Sequence, residues 1–395
     1  MINAFYKRFT KFFILLMSAS ALGQAPRPAI EVDVFDAGEV KAIPVAVEGF
    51  TGETLALLQF DLFVQGFEFV DKTKAQFTIK GTQDSASLNG AVYDHVKRAF
   101  LLSKRYRGGG LRRLAHTFAN NVVESITGSP GIGLTRVAFR QFHGRNTEIH
   151  VADFDGYNAV KLTRDNSIAA GPEWTPNGES LLYYSYRRHN PDIYSHNLQS
   201  GVRRVVARYS GSNISPTVSS DGRRVAMVLS KAGSPDIWAG SIDGTGLRRL
   251  TTTKEAESSP CWSPDGRWIC FASRASGSTR LYKIPANGGA MSRIRTIGVV
   301  NATEPDWSPD GRAIVFTTQR GGGVFEICIV PAGGGNVEVL ATGEDPSWAP
   351  NSRTLMFTSR TRGKRVLSVL DVPTKRVKIL PRTFPGSCSQ AAWGK

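Results

Sequence analysis

The sequence predicts a two-domain protein, in which a small N-terminal α/β domain precedes an all-β, six-bladed β-propeller closed by its C-terminal strand. A hairpin motif recurs through the last two thirds of the chain, and the stretches between its copies have the composition of short strands. The first third instead mixes strand-like runs with two helical stretches. A repeat of about 40–45 residues with about four strands per repeat is typical of propeller blades.

The repeated hairpin is clearest in residues 258–273, SSPCWSPDGRWICFAS. Pro264, Asp265 and Gly266 supply turn chemistry, because proline presets φ, aspartate suits the next position and glycine accepts the left-handed conformation. Short apolar and aromatic runs lie on both sides, as expected for two antiparallel strands. A single hairpin is barely stable in water, so neighbouring sheets must support it.

Further copies of the hairpin follow one another at nearly constant spacing. We call the position of the motif's tryptophan the slot. The slots are at 174, 218, 262, 307, 348 and 393, which are 44, 44, 45, 41 and 45 residues apart. The copy at position 218 is degenerate, with valine in place of tryptophan. We interpret the tryptophans as wedges between blades and the Asp-Gly pairs as turns.

The last copy of the motif predicts how the ring closes. Strand-like residues at 136–141, 148–152 and 159–162 have no slot strand before them, whereas the copy around 389–393 has no strands after it. We therefore expect the C-terminal segment to be the first strand of the blade that begins near residue 136. Such a ring has six blades and no free sheet edge.

The region before the propeller predicts a small α/β domain. An amphipathic helix over residues 111–126 stops at Gly128. Residues 131–134 are interpreted as the hinge to the propeller. The remaining predicted elements are strands at 43–47, 67–70, 76–80, 91–93 and 99–103 and a helix at 54–65 that stops at Gly66.

The N-terminus resembles a secretion signal. Residues 1–23 contain three basic residues, a short apolar run and a run of small residues. The apolar run is too short to span a bilayer, although a short membrane anchor is an open alternative. The predicted organisation is a signal peptide at 1–23, an α/β domain at 24–130 and a propeller at 131–395.

Charge and cysteine content limit the partners and the redox chemistry. Removal of the signal, with its three basic residues and no acidic ones, lowers the formal charge from +16 to +13. This charge fits either an anionic partner or a merely solubilising surface, and an exported protein rarely meets nucleic acid. Of the four cysteines, Cys261 and Cys270 lie on two arms of one hairpin and could form a disulfide, but buried free thiols fit equally well.

Together these features resemble the TolB family of the Tol-Pal envelope system. The resemblance rests on the strand IPVAV, on Lys104-Arg105-Tyr106 ahead of LRRLAH (residues 111–116), on Thr127-Gly128, and on the PxWSPDG hairpins. It implies a periplasmic, soluble, monomeric scaffold near the membrane, which binds Pal, the peptidoglycan-associated lipoprotein, at one channel mouth. It also implies that a mobile N-terminal segment, here Ala29 to Val40, engages TolA; an ordinary edge strand is the alternative.

The partner site is predicted just ahead of the slots, because the first strand of each propeller blade lines the channel. The run from Asn301 to Pro305 resembles the family's own rim sequence. With four carboxylates, we expect an acidic mouth that steers a basic partner patch; a cation in the mouth is an open alternative. The predicted rim residues are Asn213, Ser215, Glu257, Ser258, Ser259, Asn301, Thr303, Glu304, Glu344, Asp345 and Gln390.

An enzyme is the weaker interpretation of this sequence. The chain has no Gly-x-Ser-x-Gly elbow, no His-Glu-x-x-His and no phosphate-binding loop, so no catalytic residue, cofactor or metal is predicted. The six histidines fall outside the channel-lining first strands. The alternatives are an exported propeller that binds glycan or peptidoglycan fragments and, less favoured, a propeller hydrolase or lyase.

Overall fold

The computed structural model describes residues 40–381 and 384–394. Within them, a five-stranded α/β domain is followed by six four-stranded sheets, which confirms the predicted fold class. The predicted signal peptide lies outside the described residues, as does the N-terminal segment apart from Val40. No helix in the described part of the chain is both long enough and apolar enough to cross a membrane.

The small domain packs two helices against one face of a mixed sheet. The strand order is β2-β1-β3-β4-β5, with β1 parallel to both of its neighbours. Leu58, Ile79 and Phe118 are fully buried between sheet and helices. The elements are β1 (Ile43–Glu48), α1 (Gly52–Phe63), β2 (Phe67–Phe69), β3 (Phe77–Gln83), β4 (Ser87–Asp94), β5 (Ala99–Arg107) and α2 (Leu111–Thr127).

The element boundaries differ modestly from those predicted. Helix α1 begins and ends two residues earlier than expected, and α2 runs to Thr127 and is capped by Gly128 at φ 75°. Strands β3, β4 and β5 are longer than the predicted runs. Their outer face is open to solvent, so polar residues alternate with buried ones and weaken the apolar signal.

The propeller consists of six blades of four antiparallel strands. The pair β21 (Thr296–Ile297) and β25 (Gly335–Asn336) forms a small parallel bridge between blades three and four. The remaining strands, in chain order, are β6 (Arg136–His143), β7 (Asn146–Asp153) and β8 (Val160–Lys161) of blade six; β9 (Ala169–Trp174), β10 (Ser180–Arg188), β11 (Asn190–Asn197) and β12 (Arg203–Ala207) of blade one; β13 (Asn213–Val218), β14 (Arg224–Leu229), β15 (Asp236–Ser241) and β16 (Arg248–Arg249) of blade two; β17 (Glu257–Trp262), β18 (Trp268–Ser273), β19 (Arg280–Pro285) and β20 (Ser292–Arg293) of blade three; β22 (Thr303–Trp307), β23 (Ala313–Gln319), β24 (Phe325–Pro331) and β26 (Glu338–Thr342) of blade four; β27 (Glu344–Trp348), β28 (Thr354–Thr361), β29 (Lys364–Asp371) and β30 (Arg376–Ile379) of blade five; and β31 (Cys388–Trp393) of blade six.

The ring closes as the sequence predicts. Strand β31 pairs antiparallel with β6, with Cys388 opposite Gln141 and Trp393 opposite Val137. The C-terminal strand is therefore the innermost strand of a blade whose other three strands begin at residue 136. This closure joins the two ends of the propeller and leaves no gap in the ring.

The slot tryptophans lie between blades, as interpreted from the sequence. Trp262 packs in one cluster with Val228 of blade two and Phe271 of its own blade. Its indole nitrogen donates to the carbonyl of Thr217 in the preceding blade at 3.1 Å. Val218 takes the place of the tryptophan in blade two and is buried in the corresponding cluster between blades one and two.

The small domain contacts blades five and six of the propeller. Phe60 of α1 packs against Phe154, with ring centroids 5.7 Å apart, and the Val64 carbonyl accepts from the Thr354 hydroxyl. The predicted hinge at 131–134 is packed into this interface, because Ile132 is only 1% exposed and its N–H donates to the Gln65 side chain.

A charged cluster is buried in the same interface. His116 Nδ1 lies 2.7 Å from Asp61 within the small domain, and its Nε2 lies 3.5 Å from Asp155 of the propeller. Arg112 pairs with Asp155 as well. Burial alone would lower the pKa of His116, but the two carboxylates outweigh that effect and raise it to about 9. The imidazolium therefore joins the two domains electrostatically.

Candidate functional site

Each innermost strand of the propeller contains a β-bulge at the same place. The register of pairing with the second strand shifts there in all six blades. The first bulged residue has a φ between 50° and 60°, in the left-handed region that side chains rarely adopt. These six residues, named here the bulge ring, are Gly171, Ser215, Ser259, Glu304, Asp345 and Gln390.

The bulge ring lines one end of the central channel. The channel is a cavity of about 550 Å³ that is also lined by residues near the hairpin turns at its other end, such as Ser220 and Pro264. We call the two ends the bulge mouth and the turn mouth. The contacts of Thr354 and Asp155 place the small domain on the side of the turn mouth, because β28 begins and β7 ends there.

Side chains of the bulge ring connect consecutive blades. The Glu304 carboxylate accepts the N–H of Asp345 at 3.0 Å, and the Asp345 carboxylate accepts the N–H of Gln390 at 3.2 Å. Gln390 Oε1 then accepts the N–H of Gly171 at 3.2 Å. In contrast, the hydroxyls of Ser215 and Ser259 have no hydrogen-bond partner in the part of the chain that the structure describes. The bulge ring is therefore cross-linked through blades four, five, six and one, but not through the side chains of blades two and three.

A second ring lies deeper in the channel. It is formed by the residue directly before the slot of each hairpin, namely Glu173, Thr217, Cys261, Asp306, Ser347 and Ala392. Three of its members accept a backbone N–H from the next slot: Glu173 from Val218 at 3.2 Å, Asp306 from Trp348 at 2.8 Å and Ser347 from Trp393 at 3.1 Å. These bonds hold neighbouring inner strands together.

Three carboxyl groups of the channel have raised pKa values. Burial, together with the negative charges of Glu304 and Glu344, raises the pKa of Asp345 to about 7. Burial raises that of Asp306 to about 6, against hydrogen bonds from two backbone N–H groups. Burial and the charge of Asp306 raise that of Glu173 to about 7. Part of the channel's acidity is therefore neutralised by protons near neutral pH.

Glu173 makes the stability of the propeller depend on pH. Because its pKa rises from 4.5 to about 7 on folding, the folded state binds more protons and loses stability as pH rises from 4.5 through 7. The full shift corresponds to about 3 kcal/mol, and water in the channel should reduce it to about 1–2 kcal/mol. Glu173→Gln keeps an acceptor for Val218 and is expected to raise the unfolding midpoint at pH 8 but not at pH 4.5.

Urea unfolding at both pH values measures this effect. The difference between variant and wild type isolates Glu173 from Asp306 and Asp345, which titrate in an overlapping range. Equal stability of the two proteins at pH 8 would contradict a destabilising carboxylate at this position.

The predicted rim residues separate into three groups. Ser215, Ser259, Glu304, Asp345 and Gln390 do line the channel mouth. Asn301 is exposed outside the channel lining, and Ser258, Thr303 and Glu344 are half-buried residues next to the ring. Thr303 donates to the Thr317 carbonyl and Glu344 accepts from Arg365 at 2.8 Å.

Asn213 and Glu257 are placed away from the mouth opening. The side-chain amide of Asn213 is fully buried and bonds to the carbonyls of Pro191 and Tyr209. The Glu257 carboxylate is enclosed by the hydroxyls of Thr251, Thr253 and Ser273. Both side chains fix the segment that leads into their blade from the preceding one, and both are enclosed by these bonds.

The mouth is of mixed charge, which corrects the expectation of an acidic rim. Glu257 is enclosed, and Glu344 is paired with Arg365 and lies 3.7 Å from Arg360. Arg140 stacks on Phe142 beside the mouth, with its guanidinium 4.5 Å from the ring centroid. Of the four predicted carboxylates, Glu304 and Asp345 line the opening. Hydroxyl groups enclose Glu257, and basic side chains from the second and third strands of blade five pair with Glu344.

Other features of the propeller are structural. All four cysteines are buried free thiols, and although Cys261 faces Cys270 across the hairpin, burial keeps the pKa of Cys261 well above its ordinary value. Among residues 40–381 and 384–394, no group of three or more His, Cys, Asp or Glu side chains is placed to hold a metal ion.

Comparisons with known proteins agree with this architecture. The family model of the TolB beta propeller domain matches residues 123–395. A Tol-Pal system protein TolB from Alcanivorax borkumensis is 28% identical over 50% of this chain and 54% of its own length, and one from Aromatoleum aromaticum is 32% identical over 52% and 55%. The chain spans about half the length of the curated relatives it matches.

The fold is also similar to that of a solved structure. The crystal structure of TolB from Acinetobacter baumannii superposes with a TM-score of 0.80 and covers 90% of this chain and 97% of the solved one, at 21% identity. At this identity the similarity concerns the fold, including the small domain that the family model does not span.

Proposed function

The chain belongs to the TolB beta propeller family, and from that membership we propose that it is a non-enzymatic, periplasmic scaffold of the Tol-Pal system. In this role it binds a Pal-type lipoprotein at the bulge mouth and supports outer-membrane integrity and envelope constriction during cell division. The segment from Ala29 to Val40 would engage TolA. The match of the family model over residues 123–395 is the observation that carries the proposal.

The geometry of the bulge mouth supports its choice over the turn mouth. The small domain lies beside the turn mouth and contacts blades five and six there. The bulge mouth faces away from that domain and combines two carboxylates with the unpaired hydroxyls of Ser215 and Ser259. A rigid ring with open hydrogen-bonding groups at its centre suits a protein partner that inserts polar side chains.

A matched pair of serine substitutions tests the site. Ser259→Arg places a long cation in the bulge mouth without removing any bond of the ring, and Ser220→Arg does the same at the turn mouth, where it removes one exposed hydrogen bond. We expect calorimetric titration with the soluble domain of the Pal homologue from the same organism to show a loss of at least about 100-fold in affinity for Ser259→Arg, because steric blocking at the centre of an interface removes its strongest contacts.

The control should bind Pal within about twofold of wild type, and both variants should keep the wild-type melting temperature. The reverse pattern would place the partner at the turn mouth. No binding by wild-type protein at tens of micromolar would contradict the scaffold function itself, and titration with peptidoglycan fragments would then test the glycan-binding alternative.

A further inference from the structure

Strand β5 forms a long, exposed edge of the small-domain sheet. It has nine residues and pairs only with β4 on its inner side; among the described residues no strand pairs with its outer side. A bulge at Leu101 interrupts the pairing, because Val92 lies opposite Leu102 and Tyr93 opposite Phe100. Residues 102–107 therefore present an uninterrupted row of backbone groups.

The side chains along this edge are strongly basic. Lys104, Arg105 and Arg107 are exposed on β5, and Lys80 is exposed on the same sheet. Lys97 and Arg98, both exposed, continue this charge in the turn before β5. The cationic groups of Lys80 and Lys104 lie over the aromatic rings of Phe100 and Tyr106, at 4.9 and 5.3 Å from the centroids.

The nearby carboxylates are already engaged in local contacts. Glu48 pairs with Lys72 at 2.9 Å. Asp84 accepts the N–H groups of Ala86 and Ser87, and Asp94 accepts those of Val96 and Lys97. Asp94 also lies 3.9 Å from the ammonium of Lys97, and Asp84 interacts electrostatically with Arg105. Even with these two carboxylates counted, the six basic residues leave an excess of positive charge along the edge.

This charge decides which kind of strand can pair with the edge. A second copy of the chain would bring Lys104, Arg105 and Arg107 against their own counterparts, and like charges directly opposite destabilise a strand pair. The two faces of β5 also differ: Tyr106 is buried under α2, whereas Ser103 and Arg105 are exposed. A complementary strand would place apolar residues on the helix side and acidic residues on the outer side.

We infer that the outer edge of β5 is a docking site for an extended segment of a partner protein in which apolar and acidic residues alternate. The segment adds a sixth strand to the sheet, with backbone hydrogen bonds to residues 102–107 and ion pairs to Arg105 and Arg107. This surface is separate from both channel mouths, so it leaves the bulge mouth open for a second partner.

The test uses a labelled seven-residue peptide of alternating valine and glutamate, measured by fluorescence anisotropy at low salt. We expect saturable binding to the mature chain that weakens at least tenfold in the double variant Arg105→Glu, Arg107→Glu, which reverses the two charges on the outer face of β5. The control is Arg223→Glu, Arg267→Glu, which reverses two exposed charges at hairpin turns of the propeller and should change the affinity less than twofold. Hydrogen exchange of residues 102–107 should slow when the peptide binds.

Two further peptides separate strand pairing from charge alone. Lysine in place of glutamate should abolish binding, and proline in place of the interior valines should do so too, because proline has no N–H to donate. Equal binding of the proline peptide, or protection of amides elsewhere, would overturn the proposal. So would binding of vesicles containing phosphatidylglycerol without any binding of the valine–glutamate peptide.

The chain's own residues 30–34, IEVDV, alternate in the same way and could occupy the edge first. A chain that begins at Val40 retains every described strand and helix and is measured in parallel. If only this shorter chain binds the peptide, the edge still binds an acidic strand, and residues 30–34 compete for it in the mature chain. Binding by neither chain would overturn the assignment.

Discussion

Asp155→Ala is expected to lower the free energy of unfolding by about 3–5 kcal/mol, because it removes the buried carboxylate that Arg112 and His116 share. The Asp155 side chain is 2% exposed and faces both Arg112 and the imidazole of His116. Its loss puts two positive groups next to each other at the contact between the domains. We expect the small domain to detach more readily, so that limited proteolysis cuts between residues 128 and 135 at lower protease concentration.

The control for this change is Glu53→Ala. Glu53 pairs with the same Arg112 at 2.8 Å, but its side chain is 65% exposed, so its removal should cost only about 0–1 kcal/mol. Chemical denaturation followed by circular dichroism measures both variants. Similar losses for the two would show that burial of the cluster contributes nothing to the domain contact.

The cluster also predicts a dependence on pH. His116 has a pKa of about 9 when folded and 6.5 otherwise, so its stabilising effect is complete below pH 6.5 and is lost as pH rises through 9. In Asp155→Ala the imidazolium keeps only Asp61, so stability should fall less over this range. Parallel curves for variant and wild type between pH 6.5 and 9 would contradict this role of His116.

Trp262→Ala is the second large change, with an expected loss of about 3–5 kcal/mol. The indole is 7% exposed, fills the space between blades two and three, and is covered by the Arg224 guanidinium at 4.6 Å. Truncation leaves a cavity and removes the donor from the Thr217 carbonyl, which is then unpaired in a buried position.

Trp307→Ala is the matched comparison, at the equivalent position of the next repeat. The Trp307 indole donates to the Gly311 carbonyl of its own hairpin at 3.2 Å, and its ring is only half-buried. We expect a loss of about 1–2 kcal/mol, since it does not bond to the neighbouring blade. Urea unfolding followed by circular dichroism compares the two variants. Equal losses of unfolding free energy would mean that the bond from Trp262 to the neighbouring blade adds no stability beyond burial of the indole ring.

The repeat made the propeller predictable from the sequence. Turn formation at Pro-Asp-Gly is a local property of three residues, and a constant spacing of the slots requires equivalent sheets. Ring closure could also be predicted by counting strands. The three strands after residue 136 lacked an innermost strand, and the strand around Trp393 lacked the other three strands of a blade. In the small domain, helices were predicted to within two residues, whereas strands facing solvent were predicted too short.

The candidate site was only partly predictable, because side-chain direction in a strand reverses with a shift of one residue. The bulge in each inner strand makes such a shift, and no residue type marks it: the left-handed position holds glycine, serine, glutamate, aspartate or glutamine. Five predicted residues therefore face the channel, while Asn213 and Glu257 are enclosed. Glu173 and Asp306 were missed, although each stands directly before the slot of its repeat.

The sequence by itself determined the architecture and the approximate location of the channel mouth, since both depend on local turn chemistry and on a repeat that any copy reveals. The family was expected from a resemblance that included the helix before the propeller, and the family model over residues 123–395 confirms it. The tertiary structure decided the charge of that mouth and the contact between the domains. Arg140 and Arg365 reach the edge from different blades, and Asp61, His116 and Asp155 meet although they lie far apart in the chain. Electrostatic fields depend on distance in space, and only the folded chain sets that distance.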